Sequence, residues 1–475
     1  MISALRGGSG KTILSIGLAA ALKERGRIVA PFKKGPDYID AGWLALAAGR
    51  PCYNLDTFLV PSHRIVASYQ THGDNCDLAV VEGNRGLYDS IDPDGQTSTA
   101  ELAKLLGLPV ILCIDCTKTT RTMAAVVSGC RIFDSDVDIR AVVLNRVAGS
   151  RHEDILRQSI ETHCGVPVIG AIPKLRGERF PERHMGLVPT HEHDWAAASV
   201  EMAAQTAARY LDLEAAERIA SCRSEMRKPE TAPDADAEID AKAGPLHLSS
   251  EKTKENPADI PRIGVLRDSA FQFYYPENIE ALETAGAEIV WTSPLHESLL
   301  PEVDALYIGG GFPETHAAAL AENETYRDRI RSLAENGLPV YAECGGLMYL
   351  GRSLVFEDRT FPMAGVLPVD FGFSKRPQGH GYTIVSVDRE NPFYPVGTTF
   401  RGHEFHYSSI LRFDGTAEDL VFSMERGAGF QGGRDGVCRG NVLATYTHIH
   451  ALGLPTWAEA LTDNARRYRK RTATR

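Results

Sequence analysis

The stretch LRGGSGKT, residues 5–12, stands between the short apolar run MISA and the amphipathic run ILSIGLAAALKERG. It nearly fits the P-loop pattern G-x-x-x-x-G-K-S/T, although its first position is leucine instead of glycine. In that pattern the turn around Gly8 and Gly10 holds phosphate groups with its backbone N–H groups. Lys11 would reach the β- and γ-phosphates, and Thr12 would bind Mg²⁺. The order of strand, turn and helix predicts an N-terminal nucleotide-binding domain.

Short apolar runs alternate with helix-like or glycine-rich segments through the first 200 residues and again from residue 262. The runs are RIVAPF, DLAVVEG, PVILCID, IRAVVLNRV and PVIGAIP, and then RIGVLRD, AEIVWTS, ALYIGGG and PVYAECGG. This alternation is typical of a mostly parallel sheet covered by helices. We therefore predict the α/β class, with two doubly wound domains and a strand-rich end to the second.

A polar segment between the two halves predicts how the chain divides. A helix is expected from about residue 201, and the segment KPETAPDADAEIDAKAGPLHLSSEKTKENPADIP after it has the composition of a flexible linker. We predict a nucleotide- and substrate-binding domain over residues 1–200, the helix and linker over 201–261, a second domain over 262–460 and a basic tail over 461–475.

The composition is ordinary for a globular protein, with 43% hydrophobic and 24% charged residues among 475. The net charge of −11 argues against a general nucleic-acid binder, and RRYRKRTATR is interpreted as a solvated helix end. The apolar run after GSGKT mimics a secretion signal, but it ends in KERG as an amphipathic helix does. We predict a cytoplasmic protein without nucleic-acid or membrane partners, and a homodimer is the oligomer we consider.

The nine cysteines form no regular framework. Cys113 and Cys116 have C-x-x-C spacing, but they lie in the strand-like run VILCIDC without a second pair or a nearby histidine. No metal or redox role is predicted for them. MISA is short for the strand that should precede a P-loop, so we expect the native chain to begin earlier.

Polar side chains follow several predicted strands, at the edge where α/β domains bind nucleotides. They are Asp37 and Asp40 in KKGPDYID, Glu82 and Asp89 in VVEGNRGLYDS, and Asn145 in VVLNRV. Glu82 is placed as a Walker-B-like metal ligand, and the amide of Asn145 could read a purine base. Each carboxylate alone could equally be a helix cap or a solvated loop charge. Together, beside a P-loop, they predict Mg²⁺ ligands and groups that position a carboxylate acceptor against the γ-phosphate.

In the second half, VYAECGGLMYL, residues 340–350, reads as strand, sharp turn and helix with Cys344 at the turn. That arrangement exposes a nucleophile and points N–H groups at a developing oxyanion, and the glycine turn of ALYIGGGFPETH could add others. A base is needed because the thiolate is the reactive form, and the candidates are His403, His406, His448 and His450. The alternative is a small buried thiol with structural histidines.

Ordered motifs along almost the whole chain resemble those of the cobyrinate a,c-diamide synthases, glutamine-dependent amidases of corrin and related tetrapyrrole biosynthesis. The motifs are GSGKT, KKGPDYID, EGNRGLYD, STAELAKLL, LNRV, PERHMGLVP, RDSAFQFYYPENIEAL, GGGFPE, AECGGLMYL, GHEFHYS and TYTHIH. The resemblance implies a dethiobiotin-synthetase-like ATP domain joined to a class I-like glutamine amidotransferase domain. It also implies a tetrapyrrole substrate, ATP and L-glutamine as co-substrates, and Mg²⁺.

By this resemblance Cys344 attacks the glutamine carboxamide, giving a γ-glutamyl thioester and ammonia, and His448 raises its nucleophilicity. No acidic residue is evident as the third member of a catalytic triad with Cys344 and His448, since His450 stands where many amidotransferases have glutamate. The oxyanion-hole candidates are the N–H groups around Gly310, Gly311 and Gly345.

In the first domain, the resemblance implies that ATP phosphorylates a substrate carboxylate and that ammonia displaces phosphate from the acyl phosphate. The a and c carboxylates would be amidated in turn. Lys11, Thr12 and Glu82 would serve ATP and Mg²⁺. The substrate would be oriented by Asp37, Tyr38, Asp40 and Asp89.

The segment EGNRGLYDS departs from the family's usual E-G-V-M-G-L-F/Y-D-G at Asn84 and Arg85. Cobyrinate is the expected substrate; siroheme or nickel sirohydrochlorin is the alternative, because these rings carry equivalent acetate side chains. A harmless surface change would also explain the departure. An alternative of another class is a MinD/ParA-like P-loop switch with an inert amidotransferase-like domain, which the presence of both Cys344 and His448 disfavours.

Overall fold

The computed structural model describes residues 1–174, 182–183, 186–187, 190, 195–222 and 260–473. The chain divides into two compact units, the first ending at residue 232 and the second beginning at residue 233. Most of the predicted linker and most of the motif PERHMGLVP lie outside the described residues.

The described residues of the first unit form a parallel sheet with helices between its strands. The strands are β1 (Ile2–Ala4), β2 (Val29–Lys34), β3 (Tyr53–Leu55), β4 (Leu78–Glu82), β5 (Val110–Asp115), β6 (Ile139–Val147) and β7 (Val168–Pro173). Two further strands, β8 (Glu182–Arg183) and β9 (Gly186–Leu187), pair antiparallel in a separate sheet. The helices are α1 (Lys11–Glu24), α2 (Ile39–Ala48), α3 (Ser62–Gly73), α4 (Thr99–Leu106), α5 (Thr122–Phe133), α6 (Ser150–Cys164), α7 (Ala196–Tyr210) and α8 (Leu213–Ala220).

The order of strands in this sheet is β3-β2-β4-β1-β5-β6-β7, with parallel pairing throughout. Each strand is a short apolar run followed by a helix that crosses back over one face, which is why the pairing is parallel. The carboxyl ends of parallel strands meet at one edge, so the segments that follow β1, β2, β4 and β6 converge there. This topology brings the P-loop together with KKGPDYID, EGNRGLYDS and Asn145.

Helices α7 and α8, which follow residue 195, belong to the first unit. Ala203, Ala204 and Ala207 of α7 are buried in the same apolar core as α1. The predicted boundary at residue 200 therefore falls inside α7. The chain also leaves the helical conformation at Leu211 before α8 begins, so the single helix expected from residue 201 is interrupted.

The second unit is richer in strands, as predicted. Its strands are β10 (Arg262–Leu266), β11 (Glu288–Thr292), β12 (Ala305–Ile308), β13 (Val340–Glu343), β14 (Ser353–Phe356), β15 (Arg359–Pro362), β16 (Val369–Phe373), β17 (Gly379–Val387), β18 (Thr399–His406), β19 (Ser408–Phe413), β20 (Leu420–Arg426), β21 (Arg434–Arg439) and β22 (Val442–Thr445). Its α-helices are α9 (Pro276–Thr284), α10 (Ala317–Glu322), α11 (Glu324–Glu335), α12 (Gly345–Leu350) and α13 (Thr456–Ala473).

The larger sheet of this unit runs β11-β10-β12-β13-β22-β21-β20-β17-β18. It is parallel from β11 to β22 and antiparallel from there to β18. A smaller sheet, β15-β14-β16-β19, packs its apolar side chains into the core beside α12. The carboxyl end of β13 lies in the middle of the larger sheet, and Cys344 follows it directly.

The basic run near the carboxyl end forms the last turns of α13. Trp457, Leu461 and Ala465 of this helix are buried, so the predicted boundary at residue 461 falls inside a packed element. Arg469 from the basic run binds Asp304 at 2.9 Å. Within the described ranges, no helix combines the length and the apolar character needed to cross a membrane.

Candidate functional site

Asn145, near the end of β6, is hydrogen-bonded to the P-loop. Its amide nitrogen donates to the Ser9 carbonyl at 2.8 Å, and its amide oxygen accepts from the Arg146 N–H at 2.9 Å. Gly10 is left-handed (φ 92°), and a Cβ on it would overlap the Asn145 amide, so glycine is required there. The contact of Asn145 with a purine base stays a prediction.

Lys33, near the end of β2, is fully buried among predicted substrate and metal ligands. Its Nζ is 2.7 Å from Asp40 Oδ2, 3.0 Å from Glu82 Oε1 and 3.6 Å from Asp37 Oδ2. Burial alone would lower the pKa of Lys33, but the charges of these carboxylates outweigh it and hold the pKa well above its ordinary value. Burial, together with the charge of Asp40, raises the pKa of Asp37 to about 7. Sequence reasoning missed Lys33, although a lysine pair ending a buried strand was a signal for it.

Thr12 and Asp40 lie with Glu82 beside the P-loop. The Thr12 hydroxyl donates to Glu82 Oε1 at 2.6 Å and is 3.3 Å from Asp40 Oδ2, while Lys11 Nζ is 3.9 Å from Glu82 Oε1. The other oxygen of Glu82, Oε2, is buried and has no hydrogen-bond donor among the described residues. Hydroxyl and carboxylate oxygens are the ligands that Mg²⁺ prefers, and an unpaired buried oxygen can accept one more partner. Thr12, Glu82 and Asp40 therefore fit Mg²⁺.

The other predicted substrate residues lie on loops at the same edge. Asp37 accepts from the Asp40 N–H at 2.9 Å at the start of α2, and Tyr38 directly precedes that helix. Asp89 is exposed, and its Oδ2 accepts from the Gly86 N–H at 2.8 Å, which closes its own loop. Asp37 and Asp89 thus shape their loops, and their contact with a substrate stays a prediction.

Cys344 occupies the sharp turn between β13 and α12. Its backbone is left-handed (φ 47°, ψ −99°), a strained conformation for a residue with a side chain. The residue is 4% exposed, and burial, reinforced by the charge of Glu314, raises the pKa of the thiol well above its ordinary value. The resting group is therefore a thiol, and a base is needed to form the thiolate.

The carboxylate beside His448 comes from Glu343, the residue directly before the predicted nucleophile. Glu343 Oε2 is 3.3 Å from His448 Nδ1, and its Oε1 accepts from the Ile449 N–H at 3.2 Å. Parallel pairing aligns Glu343 with Thr445, three residues before His448, and so creates this contact. The structure thereby corrects the inference, drawn from His450, that an acidic partner is missing. The sequence did carry one signal for this partner, because Glu343 is a glutamate at the end of a predicted buried strand.

The predicted oxyanion glycines lie together beside His448. A Cβ on Gly310 would be 2.5 Å from His448 Cε1 and 3.3 Å from its Nε2, so the imidazole lies directly over this turn. A Cβ on Gly345 would be 3.0 Å from the Gly311 nitrogen, so the start of α12 faces the same turn. His448 Nδ1 thus faces Glu343, and its Nε2 lies on the side of the Gly310 turn.

Replacing Glu343 by glutamine is expected to slow glutamine hydrolysis at least about 100-fold, because an amide neither stabilises the imidazolium nor fixes its tautomer. The measurement is release of glutamate from glutamine at saturation. Glu277→Gln is the matched control, because Glu277 is also buried beside a histidine, His450, at 3.6 Å. Equal activity of the two variants would contradict the assignment.

One chain thus holds a P-loop site with a lysine–carboxylate cluster and a second site in which Cys344 directly follows the glutamate that contacts His448. This combination is that of a glutamine amidotransferase with its own nucleotide-binding domain. Two family models match in the same order. A CobQ/CobB/MinD/ParA nucleotide binding domain covers residues 1–188, and a CobB/CobQ-like glutamine amidotransferase domain covers residues 262–455. The predicted fold class is confirmed in both halves.

Curated relatives match from end to end. A protein of Magnetococcus marinus is 41% identical over 99% of this chain and 97% of its own, and one of Archaeoglobus fulgidus is 39% identical over 93% and 92%. Both are named cobyrinate a,c-diamide synthase. The chain belongs to the cobyrinate a,c-diamide synthase family and is a glutamine-hydrolysing carbon–nitrogen ligase. The predicted family and enzyme class are confirmed, and they leave the MinD/ParA-like switch without support.

Proposed function

We propose that this enzyme amidates the a and c side-chain carboxylates of cobyrinate, in cobalamin biosynthesis, with ATP and with ammonia taken from glutamine. The observation that carries the proposal is the 41% identity to a protein of that name over 99% of the chain, because it spans both sites. Because the similarity extends over the whole nucleotide-binding half, it also supports a tetrapyrrole small molecule as the substrate.

In the glutaminase half, Cys344 Sγ gives its proton to His448 Nε2 and attacks the carboxamide carbon of glutamine. The carbonyl oxygen becomes an oxyanion, which the N–H groups around Gly310, Gly311 and Gly345 face. Collapse of the intermediate breaks the C–N bond, and the His448 proton leaves with the nitrogen as ammonia. Water then hydrolyses the γ-glutamyl thioester to glutamate. Glu343 holds Nδ1 and stabilises the imidazolium at each proton transfer.

In the ATP half, the substrate carboxylate takes the γ-phosphoryl group of ATP, because a free carboxylate is a poor acyl donor with oxide as its leaving group. Ammonia then attacks the acyl carbon, and phosphate leaves. Lys11 and the P-loop N–H groups would hold the phosphates. Mg²⁺, held by Thr12, Glu82 and Asp40, would offset the charge that develops on them. Lys33 keeps Asp40 and Glu82 in place by neutralising them. Asp37, Tyr38 and Asp89 are proposed to orient the substrate. Asp40, which the sequence predicted as a fourth substrate ligand, is assigned to Mg²⁺ instead because its Oδ2 is 3.3 Å from the Thr12 hydroxyl.

Siroheme or nickel sirohydrochlorin is the second candidate substrate, because two residues of this chain depart from the family segment. Arg85 is exposed and has a left-handed backbone (φ 50°), and burial, with a contribution from the charge of Arg85, lowers the pKa of Lys34 at the end of β2. The amide of Asn84 lies against Gly35, where a Cβ would be 2.8 Å from its Nδ2. Both polar residues lie within three positions of Glu82 and would lie near a bound ring.

Mass spectrometry of the products distinguishes the candidates. The enzyme is incubated with ATP, Mg²⁺ and amide-labelled glutamine, together with cobyrinate, siroheme or nickel sirohydrochlorin in separate reactions. We expect two labelled amides on cobyrinate and none without ATP. No turnover of cobyrinate, with double amidation of another ring, would replace the proposed substrate and keep the chemistry.

A further inference from the structure

A second imidazole lies against the ring of His448. His403, on β18, is 6% exposed, and its ring is stacked on that of His448 with centroids 4.9 Å apart and an interplanar angle of 19°. The backbones are also paired: the His403 N–H donates to the His448 carbonyl at 3.1 Å, and the His448 N–H donates to the His403 carbonyl at 2.8 Å. The strand and the proposed base are thus held as one unit.

Gly402 permits this close approach. A Cβ on Gly402 would lie 2.6 Å from the His448 carbonyl oxygen and would also overlap the Thr447 methyl group. Any larger residue would push β18 away from the segment that carries the base and would separate the stacked rings. The local sequence therefore fits a ring-on-ring contact at this position.

The surroundings keep His403 uncharged. The pKa of His403 is held well below its ordinary value. Burial is the larger cause, and repulsion from the neighbouring His448 and His450 is the smaller one. The Tyr275 hydroxyl is 3.5 Å from His403 Nδ1, and the Tyr275 ring also lies against His450, which is paired with Glu277. A neutral ring next to His448 leaves that histidine free to take up the thiol proton without repulsion from a second imidazolium.

We propose that His403 is a positioning residue of the glutaminase site. Its ring covers one face of the His448 imidazole while Glu343 holds Nδ1, and the two contacts together fix the ring plane that points Nε2 at the Gly310 turn. A carboxylate at 3.3 Å leaves the ring free to tilt about that contact, whereas a stacked neighbour removes this freedom. The proposal rests on the role assigned to His448 above.

The test compares His403→Ala with His403→Phe in the full-length enzyme, measuring kcat and KM for glutamine hydrolysis and, separately, amidation with free ammonia. We expect kcat of His403→Ala to fall about 10- to 100-fold with KM little changed, because a misaligned base slows proton transfer without altering glutamine binding. His403→Phe should restore most of kcat, because its ring can cover the same face. Amidation with ammonia should match the unaltered enzyme in both variants.

The matched control is His296→Ala. His296 is an exposed histidine on the loop after β11, so kcat should not change. Unaltered kcat in His403→Ala overturns the proposal, and so does a His403→Phe variant as slow as His403→Ala. Loss of ammonia-dependent amidation in both variants would make His403 a purely structural residue. Persistence of hydrolysis in Cys344→Ser would instead remove the assignment of the nucleophile, so the two failures are distinguishable.

Discussion

Cys344→Ser is expected to lower glutamine-dependent amidation at least about 1,000-fold, because a serine hydroxyl with the same partner is a far weaker nucleophile than a thiolate. Amidation with added ammonium salt should continue at the unaltered rate, because ammonia bypasses the thioester and the ATP site is unchanged. The measurement is product formation with glutamine and with ammonium as separate nitrogen donors.

Cys438→Ser is the matched control for this variant. Cys438 lies in the same unit, half-buried on β21, and burial raises the pKa of its thiol to about 11, so it is an ordinary structural thiol. Its replacement should leave both activities unchanged. Hydrolysis of glutamine that persists in Cys344→Ser would show that another group is the nucleophile. Loss of the ammonia-dependent reaction would show that the substitution damages the fold.

Lys33→Met is expected to lower amidation with either nitrogen donor at least about 100-fold. Without the lysine, Asp40 and Glu82 would repel each other and the phosphates of ATP. The substitution should also cost about 3–5 kcal/mol of unfolding free energy, since it removes the nearest cation from Asp40 and from the buried Glu82, whereas Lys11 is farther from Glu82, at 3.9 Å. Urea denaturation with and without MgCl₂ measures the second effect. Added Mg²⁺ should recover more stability in the variant than in the unaltered enzyme.

Lys34→Met separates charge neutralisation from the loss of any buried lysine. Lys34 is also buried, but its Nζ donates to the Thr97 carbonyl at 2.6 Å, and burial lowers its pKa. We expect a loss of about 1–3 kcal/mol from the unpaired carbonyl and an ATP site that still binds Mg²⁺. If Lys33→Met were as active and as stable as Lys34→Met, the cluster would not have the role proposed for it.

Local signals in the sequence were enough for the fold of each half. LRGGSGKT followed by an apolar helix predicts a strand, turn and helix, and the apolar runs predict strands, because both depend on residues close in the chain. Glu343 could not be assigned this way. Its contact with His448 joins residues 105 apart and depends on the register between β13 and β22, which no local pattern specifies.

Long-range packing also explains the misplaced boundaries and the missed lysine. The Ala-rich α7 reads as an ordinary surface helix, yet its small side chains pack in one core with α1, so the first unit continues past residue 200. In the sequence, Lys33 is simply one of two lysines at the end of a strand. Only the register between β2 and β4 shows that Lys33 faces Glu82 and that Lys34 does not.

The burial of Cys344 has a consequence for the durability of the enzyme. Peroxide oxidises thiolates faster than thiols, and it must reach the sulfur to do so. Burial raises the pKa of the Cys344 thiol and so keeps its thiolate fraction small, whereas Cys222, in the first unit, is exposed. Oxidative damage will therefore fall on Cys222 before Cys344. Sulfenic acid formed there leaves both reaction centres chemically intact, so the nucleophile is spared during periods without glutamine.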